Sequence, residues 1–153
     1  MANTYTQLYV QFVFATQYRL AQIQPEWETE LFKYITGIVK NNKHKLIVIN
    51  GMPDHLHVFV GLNTTQSIAD LMRMVKGESS EWINLKQFTP RKFNWQAGYG
   101  AFSYSHSQLD RVYHYISNQK KHHETKCFFE EYKELLQEFD IEFDERYLFK
   151  NLD

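Results

Sequence analysis

The segment His55-Leu56-His57 places two imidazole groups two residues apart, inside the apolar run that continues to Val60. Such alternation predicts a β-strand, and a strand turns both histidines to one face while Leu56 points to the other. Two neutral imidazoles on one face are suitable ligands for a divalent cation, with positions left for substrate and water. The same pattern is found where two sheet histidines are exposed or hydrogen-bonded, so neighbouring elements must decide between the two interpretations.

A second group of candidate residues lies on a helix predicted to begin near residue 107 and to end near His122. Its apolar stripe, which we expect to face the core, consists of Leu109, Val112, Tyr113 and Ile116. Tyr115, Gln119 and His122 form another stripe about 100° away, at spacings i, i+4 and i+7. The pattern therefore assigns Tyr113 a structural role, and it places Tyr115 and Gln119 on a flank that faces either a cleft or solvent.

The elements that must position these residues alternate between strands and helices. Strands are predicted over 8–14 (with Leu8, Val10, Phe12 and Phe14 on one face), 45–50, 55–61 and a short segment ending near 104, with a turn over 51–54. Helices are predicted to begin at Pro25, at a Ser67–Asp70 cap and at a Ser107–Asp110 cap, with a last helix over about 128–139. This order predicts an α+β fold: a ferredoxin-like antiparallel sheet with helices packed on it, plus the helix that carries Tyr115.

Length and composition narrow the class of protein. The chain has 153 residues with 43% hydrophobic content, which predicts a single domain over 1–153, with a tail from about 141 that packs on the body. The tail residues expected to make that contact are Phe143, Tyr147, Leu148 and Phe149. The single cysteine, Cys127, excludes an intrachain disulfide and a cysteine-based zinc site. No apolar stretch approaches the roughly 20 residues needed to cross a membrane, and no secretory signal precedes the first strand, so we expect a cytoplasmic protein without a membrane partner.

Nucleic-acid binding would have to use local patches, because the net charge is only −1. A locally basic stretch contains aromatic residues that could stack on bases: Arg73, Lys76, Lys86, Arg91 and Lys92 alternate with Trp82, Phe88, Phe93 and Trp95. Lys120 and Lys121 add positive charge beside Gln119, and His122 is a candidate phosphate or proton-transfer contact. The competing interpretation is a solvated helix face with aromatic residues in the core.

The predicted strand with His55 and His57 and the predicted helix with Tyr115 together resemble the HUH single-tyrosine transposases of bacterial insertion sequences. This family includes relatives associated with repetitive palindromic elements. The resemblance covers most of the chain. It rests on His55-Leu56-His57, on the stretch 95–103 (WQAGYGAFS), and on Tyr115-Ile116-Ser117-Asn118-Gln119 followed by His122-His123. It implies that His55, His57 and Gln119 bind a divalent metal, Mg²⁺ or Mn²⁺, and that Tyr115 is the nucleophile.

The function implied by this resemblance is cleavage and rejoining of single-stranded DNA at insertion-sequence ends through a 5′-phosphotyrosine, assisted by metal and without ATP. The implied partners are single-stranded DNA with a hairpin and a second copy of the chain, with active sites shared between the two chains. Three alternatives stay open. They are a domesticated relative acting on palindromic repeats, a catalytically silent module that binds single-stranded nucleic acid, and a metal-dependent hydrolase in which water attacks.

Overall fold

A computed structural model describes residues 3–123 and 126–144 of the chain. The strands in these residues are β1 (Tyr9–Ala15), β2 (Lys45–Met52), β3 (His55–Gly61) and β4 (Gly100–Tyr104). The helices are α1 (Pro25–Asn41), α2 (Ile68–Lys86), α3 (Leu109–Ser117), the single turn α4 (Gln119–His122) and α5 (Phe128–Glu138). The strands form one sheet in the order β2-β3-β1-β4, and every neighbouring pair is antiparallel. The predicted α+β class and its strand order along the chain are therefore confirmed.

Helices cover both faces of the sheet. Alternate residues of β1 and β3, such as Phe12 and Leu56, form one core with α1 and α2. The residues between them point to the opposite face, where Val13 packs on α5 and Phe59 packs on α3. Since side chains alternate along a strand, His55 and His57 lie on this second face, between the sheet and helices α3 and α5.

The hairpin between β2 and β3 fixes the position of the first histidine. β2 continues to Met52, so the turn is shorter than the predicted 51–54 and consists of Pro53 and Asp54. Gly51 pairs with Leu56, and a Cβ at Gly51 would clash with the carbonyl oxygen of His55. A glycine is therefore required where the two strands approach each other most closely.

The tyrosine helix differs from its prediction at both ends. The predicted Ser107–Asp110 cap is wrong: α3 is preceded by a 3₁₀ turn over His106–Gln108, and Gln108 Oε1 accepts a hydrogen bond from the Ser105 N–H at 2.9 Å. The predicted helix to His122 is interrupted at Asn118, where φ is −98° and ψ is 20°. This interruption separates Gln119, on α4, from Tyr115, on α3.

Tyr113, which was predicted to face the core, is exposed, and so is Leu8, which was predicted to lie on one face of the first strand. Tyr113 keeps 42% of its surface exposed, because α3 faces Phe59 with Val112 and Ile116. Leu109 and Tyr115 pack against the same cluster and are partly buried. Leu8 precedes β1 and is 45% exposed.

The aromatic residues of the basic stretch belong to the core rather than to a free stacking surface. Phe93 and Trp95 are buried. Trp82 stacks on Tyr34, and Phe88 stacks on Trp27. Of the predicted tail contacts, Phe143 packs against the cluster around Phe102, whereas Tyr147, Leu148 and Phe149 lie outside the described residues. Among the described helices, each is too short or too polar to cross a bilayer.

Candidate active site

Both histidines of β3 are buried, and each has one ring nitrogen held by a polar neighbour. Asp54 Oδ1 lies 2.7 Å from His55 Nδ1, and Gln11 Nε2 lies 2.8 Å from His57 Nδ1. Gln11 is on β1, at one of the positions that face α3 and α5. With the Nδ1 atoms engaged, the two Nε2 atoms are turned towards the same space beside α5.

Glu131 of α5 occupies that space and keeps only 2% of its surface exposed. Its Oε1 atom lies 2.9 Å from His57 Nε2, 3.4 Å from His55 Nε2 and 3.1 Å from His123 Nε2. One ligand atom from each of these four side chains lies within 4.8 Å of all the others. Three imidazoles and one carboxylate therefore meet at a single point, a donor set that suits a transition-metal cation.

The other carboxylate oxygen of Glu131 connects this cluster to the tyrosine helix. Glu131 Oε2 accepts a hydrogen bond from the Tyr115 hydroxyl and another from Gln119 Nε2 at 3.0 Å. Gln119 Oε1 in turn lies 3.3 Å from His55 Nε2. The structure thus brings together the four residues His55, His57, Tyr115 and Gln119, whose roles were predicted from the sequence.

All of these contacts are made within one chain. The resemblance implied instead that the tyrosine of one chain meets the histidine pair of its partner. The ring of Tyr115 lies 5.9 Å, centroid to centroid, from that of His57 in the same chain. Sharing of sites between chains stays a prediction.

Burial and neighbouring charges shift the pKa values of the side chains in this cluster in opposite directions. Burial disfavours the charged form of Glu131, but the nearby charge of His57 and hydrogen bonds from the histidines hold the pKa of Glu131 well below its usual range. Burial and the Glu131 carboxylate raise the pKa of the Tyr115 phenol far above its ordinary value. Burial also lowers the pKa of His57, whereas the hydrogen bonds of His55 to Asp54 and Glu131 outweigh burial and raise the pKa of His55. An anionic carboxylate beside a neutral phenol is the resulting state.

A cavity of about 250 Å³ lies beside Tyr115 and Glu131 and gives the tyrosine access to solvent. Its lining includes the exposed Arg111, which precedes Tyr115 by one helical turn, and two further acidic side chains of α5, Glu134 and Glu138. Arg111 brings a positive charge to the wall of this cavity. Arg111 lies four residues before Tyr115, and this spacing alone places the two side chains on the same side of a helix.

Sequence reasoning also missed Glu131, Asp54 and Gln11, and it considered His123 only as positive charge at the end of the tyrosine helix. Gln11 is a polar residue inside an apolar strand, which is a recognisable signal. Glu131 had none, since it is one of several acidic residues on an amphipathic helix.

The predicted DNA-binding residues are distributed over several surfaces. Arg73 is exposed and pairs with Asp70 at 2.9 Å on α2, on the face of the sheet opposite to the histidines. Lys76 donates to the carbonyl oxygens of Gln96 and Gly98, at 2.7 Å each, and so holds a loop. Arg91, Lys92 and Lys121 are exposed, and Lys120 pairs with Glu28 at 2.9 Å.

The DNA-binding role of these residues stays a prediction. The side chain of His122 lies outside what the structure describes.

Comparison with protein families identifies the chain. The model of the IS200-like transposases matches residues 4–119, which is more than half of its length. The chain belongs to the IS200-like transposase family. The matched segment of this transposase includes both histidines of β3, Tyr115 and Gln119, and it ends before His123 and Glu131. A search of curated proteins gives no match.

Solved structures share the fold of this transposase. A candidate transposase from Deinococcus radiodurans R1 is 22% identical with a TM-score of 0.62, covering 78% of this chain and 95% of that one. A REP-associated tyrosine transposase bound to a REP hairpin is 15% identical with a TM-score of 0.55, covering 76% of this chain and 67% of that one. At these identities the likeness concerns the fold.

Proposed function

We propose that this transposase cleaves and rejoins single-stranded DNA through a covalent bond between Tyr115 and a DNA 5′-phosphate. The observation that carries the proposal is that one carboxylate, Glu131, contacts both the Tyr115 hydroxyl and the histidine pair. A nucleophile and a candidate cation site therefore lie on either side of a single side chain. Phosphodiester cleavage by a tyrosine needs both, because a phenol is a weak nucleophile and charge develops on the phosphate oxygens.

In the proposed first step, the Tyr115 oxygen attacks phosphorus and a new phosphorus–oxygen bond forms. The bond from phosphorus to the DNA 3′ oxygen breaks, the phenol proton is released to water, and the 3′ oxygen takes up a proton from water. A second DNA 3′-hydroxyl then attacks the phosphotyrosine, which releases Tyr115 and joins the strands. The number of phosphodiester-type bonds is conserved at each step, so the reaction needs no ATP.

The residues present fit a divalent cation, Mg²⁺ or Mn²⁺. We propose that His55, His57 and Gln119 hold it, since both histidines present Nε2 to the same space and Gln119 Oε1 lies at its edge. A cation bound there supplies positive charge for a non-bridging phosphate oxygen and for the leaving oxygen. Holding the imidazoles in place is the task of this chain's own Asp54 and Gln11.

Single-stranded DNA with a hairpin, at the ends of an insertion sequence, is the substrate we propose. The cavity beside Tyr115, with Arg111 in its wall, gives a strand access to the nucleophile. The solved REP-associated relative is bound to a REP hairpin, which makes palindromic repeats the second candidate substrate.

The test is formation of a covalent adduct. The protein is incubated with Mn²⁺ and single-stranded oligonucleotides that cover the DNA on either side of its own gene, and denaturing gels then detect a protein–DNA product. We expect an adduct in the wild-type protein and in Tyr113→Phe, a matched control on the same helix whose side chain is exposed. Tyr115→Phe and addition of a chelator should each abolish it. An adduct that survives in Tyr115→Phe, or in excess chelator, contradicts the proposal.

A further inference from the structure

We propose that Glu131 and His123 are metal ligands, so that helix α5 and the turn before it complete the cation site of this transposase. The inference rests on the proposed function, which places a cation at His55, His57 and Gln119. It extends that donor set to two residues beyond the segment that the family model matches, 4–119.

The first argument is the number of donors around Glu131. A carboxylate has two oxygens and about four lone-pair positions for hydrogen bonds. At least five groups approach those oxygens: the Tyr115 hydroxyl, the Gln119 amide and the Nε2 atoms of His55, His57 and His123. Three of the five converge on the single atom Oε1: the Nε2 atoms of His57 and His123 lie within hydrogen-bond distance, and that of His55 lies slightly farther away at 3.4 Å. Ligands grouped around one cation are expected to crowd together in this way.

The second argument is spacing. Two ligands on adjacent corners of an octahedron, each about 2.1 Å from the ion, lie about 3.0 Å apart. The three distances from Glu131 Oε1 to the imidazole nitrogens are 2.9, 3.1 and 3.4 Å. The carboxylate oxygen therefore lies from each imidazole nitrogen at about the spacing of neighbouring ligands.

The third argument is that His55, His57 and Glu131 are each held by a contact on the side away from the proposed cation. Nδ1 of His55 is held by Asp54, and Nδ1 of His57 is held by Gln11. The ring of His55 stacks on Phe128, the first residue of α5, at 4.1 Å between centroids. The Glu131 carboxylate is held at Oε2 by Tyr115 and Gln119, which leaves Oε1 directed towards the imidazoles. A carboxylate at the far nitrogen, as Asp54 is for His55, is the usual support of a metal-bound histidine, whereas Gln11 fixes only the position of the His57 ring.

A second explanation of the Glu131 carboxylate predicts the opposite change in metal affinity when its charge is removed. If Glu131 only occupied the cation's place in the resting protein, then removing its charge would free the imidazoles and tighten metal binding. If Glu131 is a ligand, then removing its charge weakens metal binding. The sign of the change in affinity therefore separates the two roles.

The experiment titrates Mn²⁺ into the full chain without DNA and measures free Mn²⁺ by electron paramagnetic resonance. We expect the dissociation constant to rise about tenfold or more in Glu131→Gln and in His123→Ala. Glu130→Gln, an exposed neighbour on α5, is the matched control and should bind as the wild-type protein does. Unchanged or tighter binding by Glu131→Gln overturns the inference for Glu131, and wild-type affinity in His123→Ala overturns it for His123.

A measurement on the wild-type protein guards against variants that do not fold. Pulsed electron paramagnetic resonance of bound Mn²⁺ counts the imidazole nitrogens coordinated to it, and we expect three. Two would overturn the role of His123. These readouts involve no DNA, so they are separate from the test of the proposed function. If Glu131→Gln loses Mn²⁺ binding but the wild-type protein forms no adduct with DNA, the metal site is supported and the tyrosine chemistry is rejected. If the wild-type protein forms the adduct but Glu131→Gln binds Mn²⁺ normally, the tyrosine chemistry is supported and the role of Glu131 as a ligand is rejected.

Discussion

Asp54 is the residue that decides which nitrogen of His55 is available to a ligand. Burial acts against its charge, but the hydrogen bond from His55 and the charges of His55 and Arg19 keep the pKa of Asp54 below its ordinary value. An ionised carboxylate only accepts hydrogen bonds, so the proton of a neutral His55 ring lies on Nδ1. The lone pair of His55 then lies on Nε2, which faces Glu131 and His57.

We therefore expect Asp54→Asn to weaken Mn²⁺ binding and DNA cleavage by about 10- to 100-fold, while the fold is retained. The amide is similar in size to the carboxylate but no longer imposes one tautomer on His55. Asp140→Asn is the matched control, since Asp140 is exposed and has a positive φ of 53° that asparagine tolerates. Titration of Mn²⁺ and a cleavage time course measure the two effects. Wild-type behaviour of Asp54→Asn would show that the turn residue does not orient the ring.

Local periodicity explains which parts of the site the sequence predicted. His55 and His57 follow the two-residue period of a strand, and Tyr115 and Gln119 lie one helical turn apart, although Asn118 interrupts the helix between them. Glu131 follows no such pattern relative to the histidines. It reaches them because α5 packs across the sheet, and this docking depends on contacts between distant segments rather than on local spacing.

Helix α5 lies close to the sheet because β4 begins with a glycine. A Cβ at Gly100 would lie 2.8 Å from the edge of the Tyr132 ring and 3.0 Å from Phe102. Tyr132 cannot easily yield, since it also stacks on Phe128 at 5.5 Å between centroids. Tyr132 directly follows Glu131, so the distance between β4 and α5 also sets the position of the carboxylate.

Gly100→Ala should therefore lower the free energy of unfolding by about 1–3 kcal/mol through overpacking. It should also weaken Mn²⁺ binding, because α5 carries Glu131 away from the imidazoles. Gly77→Ala is the control: nothing lies within 4 Å of a Cβ there, and alanine favours a helix interior by up to about 1 kcal/mol. Denaturant unfolding with and without Mn²⁺ measures both quantities. Equal stability of Gly100→Ala and the wild-type protein would contradict the close approach described here.

Prediction from the sequence was accurate for whole elements and failed at several boundaries, above all at both ends of the tyrosine helix. Ser105 with Gln108 and Ser107 with Asp110 both have the spacing of a helix cap, and spacing alone does not distinguish them. The burial of Tyr113 was predicted from the helical period, which gives the direction of a stripe but not its width. Only the position of α3 on the sheet shows that Val112 and Ile116 are buried against Phe59 while Tyr113 stays exposed.

At the scale of the whole molecule, the open question is whether two chains share their sites. The resemblance implies a homodimer in which tyrosine helices are exchanged, whereas Tyr115 contacts the cluster of its own chain in this structure. The prediction that residues 1–153 form a single domain also stays a prediction.

Mixing Tyr115→Phe with His57→Ala, under conditions that allow chains to exchange, decides between the arrangements. If sites are shared, as the resemblance implies, a mixed dimer regains one site with an intact tyrosine and an intact histidine pair, and cleavage partly returns. If each site lies within one chain, cleavage does not recover, because every site then lacks either its tyrosine or its histidine pair. The control is a mixture of wild-type protein with Tyr115→Phe, which should keep activity in proportion to the wild-type share. Partial recovery in a mixture of the two variants would show that sites are shared, and size-exclusion chromatography would identify the heterodimer.

The late position of α5 along the chain has a consequence for newly made protein. Synthesis proceeds from the N-terminus, so the histidine hairpin and the tyrosine helix leave the ribosome before Glu131 does. Until α5 follows, the face of the sheet formed by Val13 and Phe102 has no helix to cover it, and the imidazoles have no carboxylate. A nascent chain therefore carries Tyr115 and the two buried histidines before the carboxylate that contacts all three has been made.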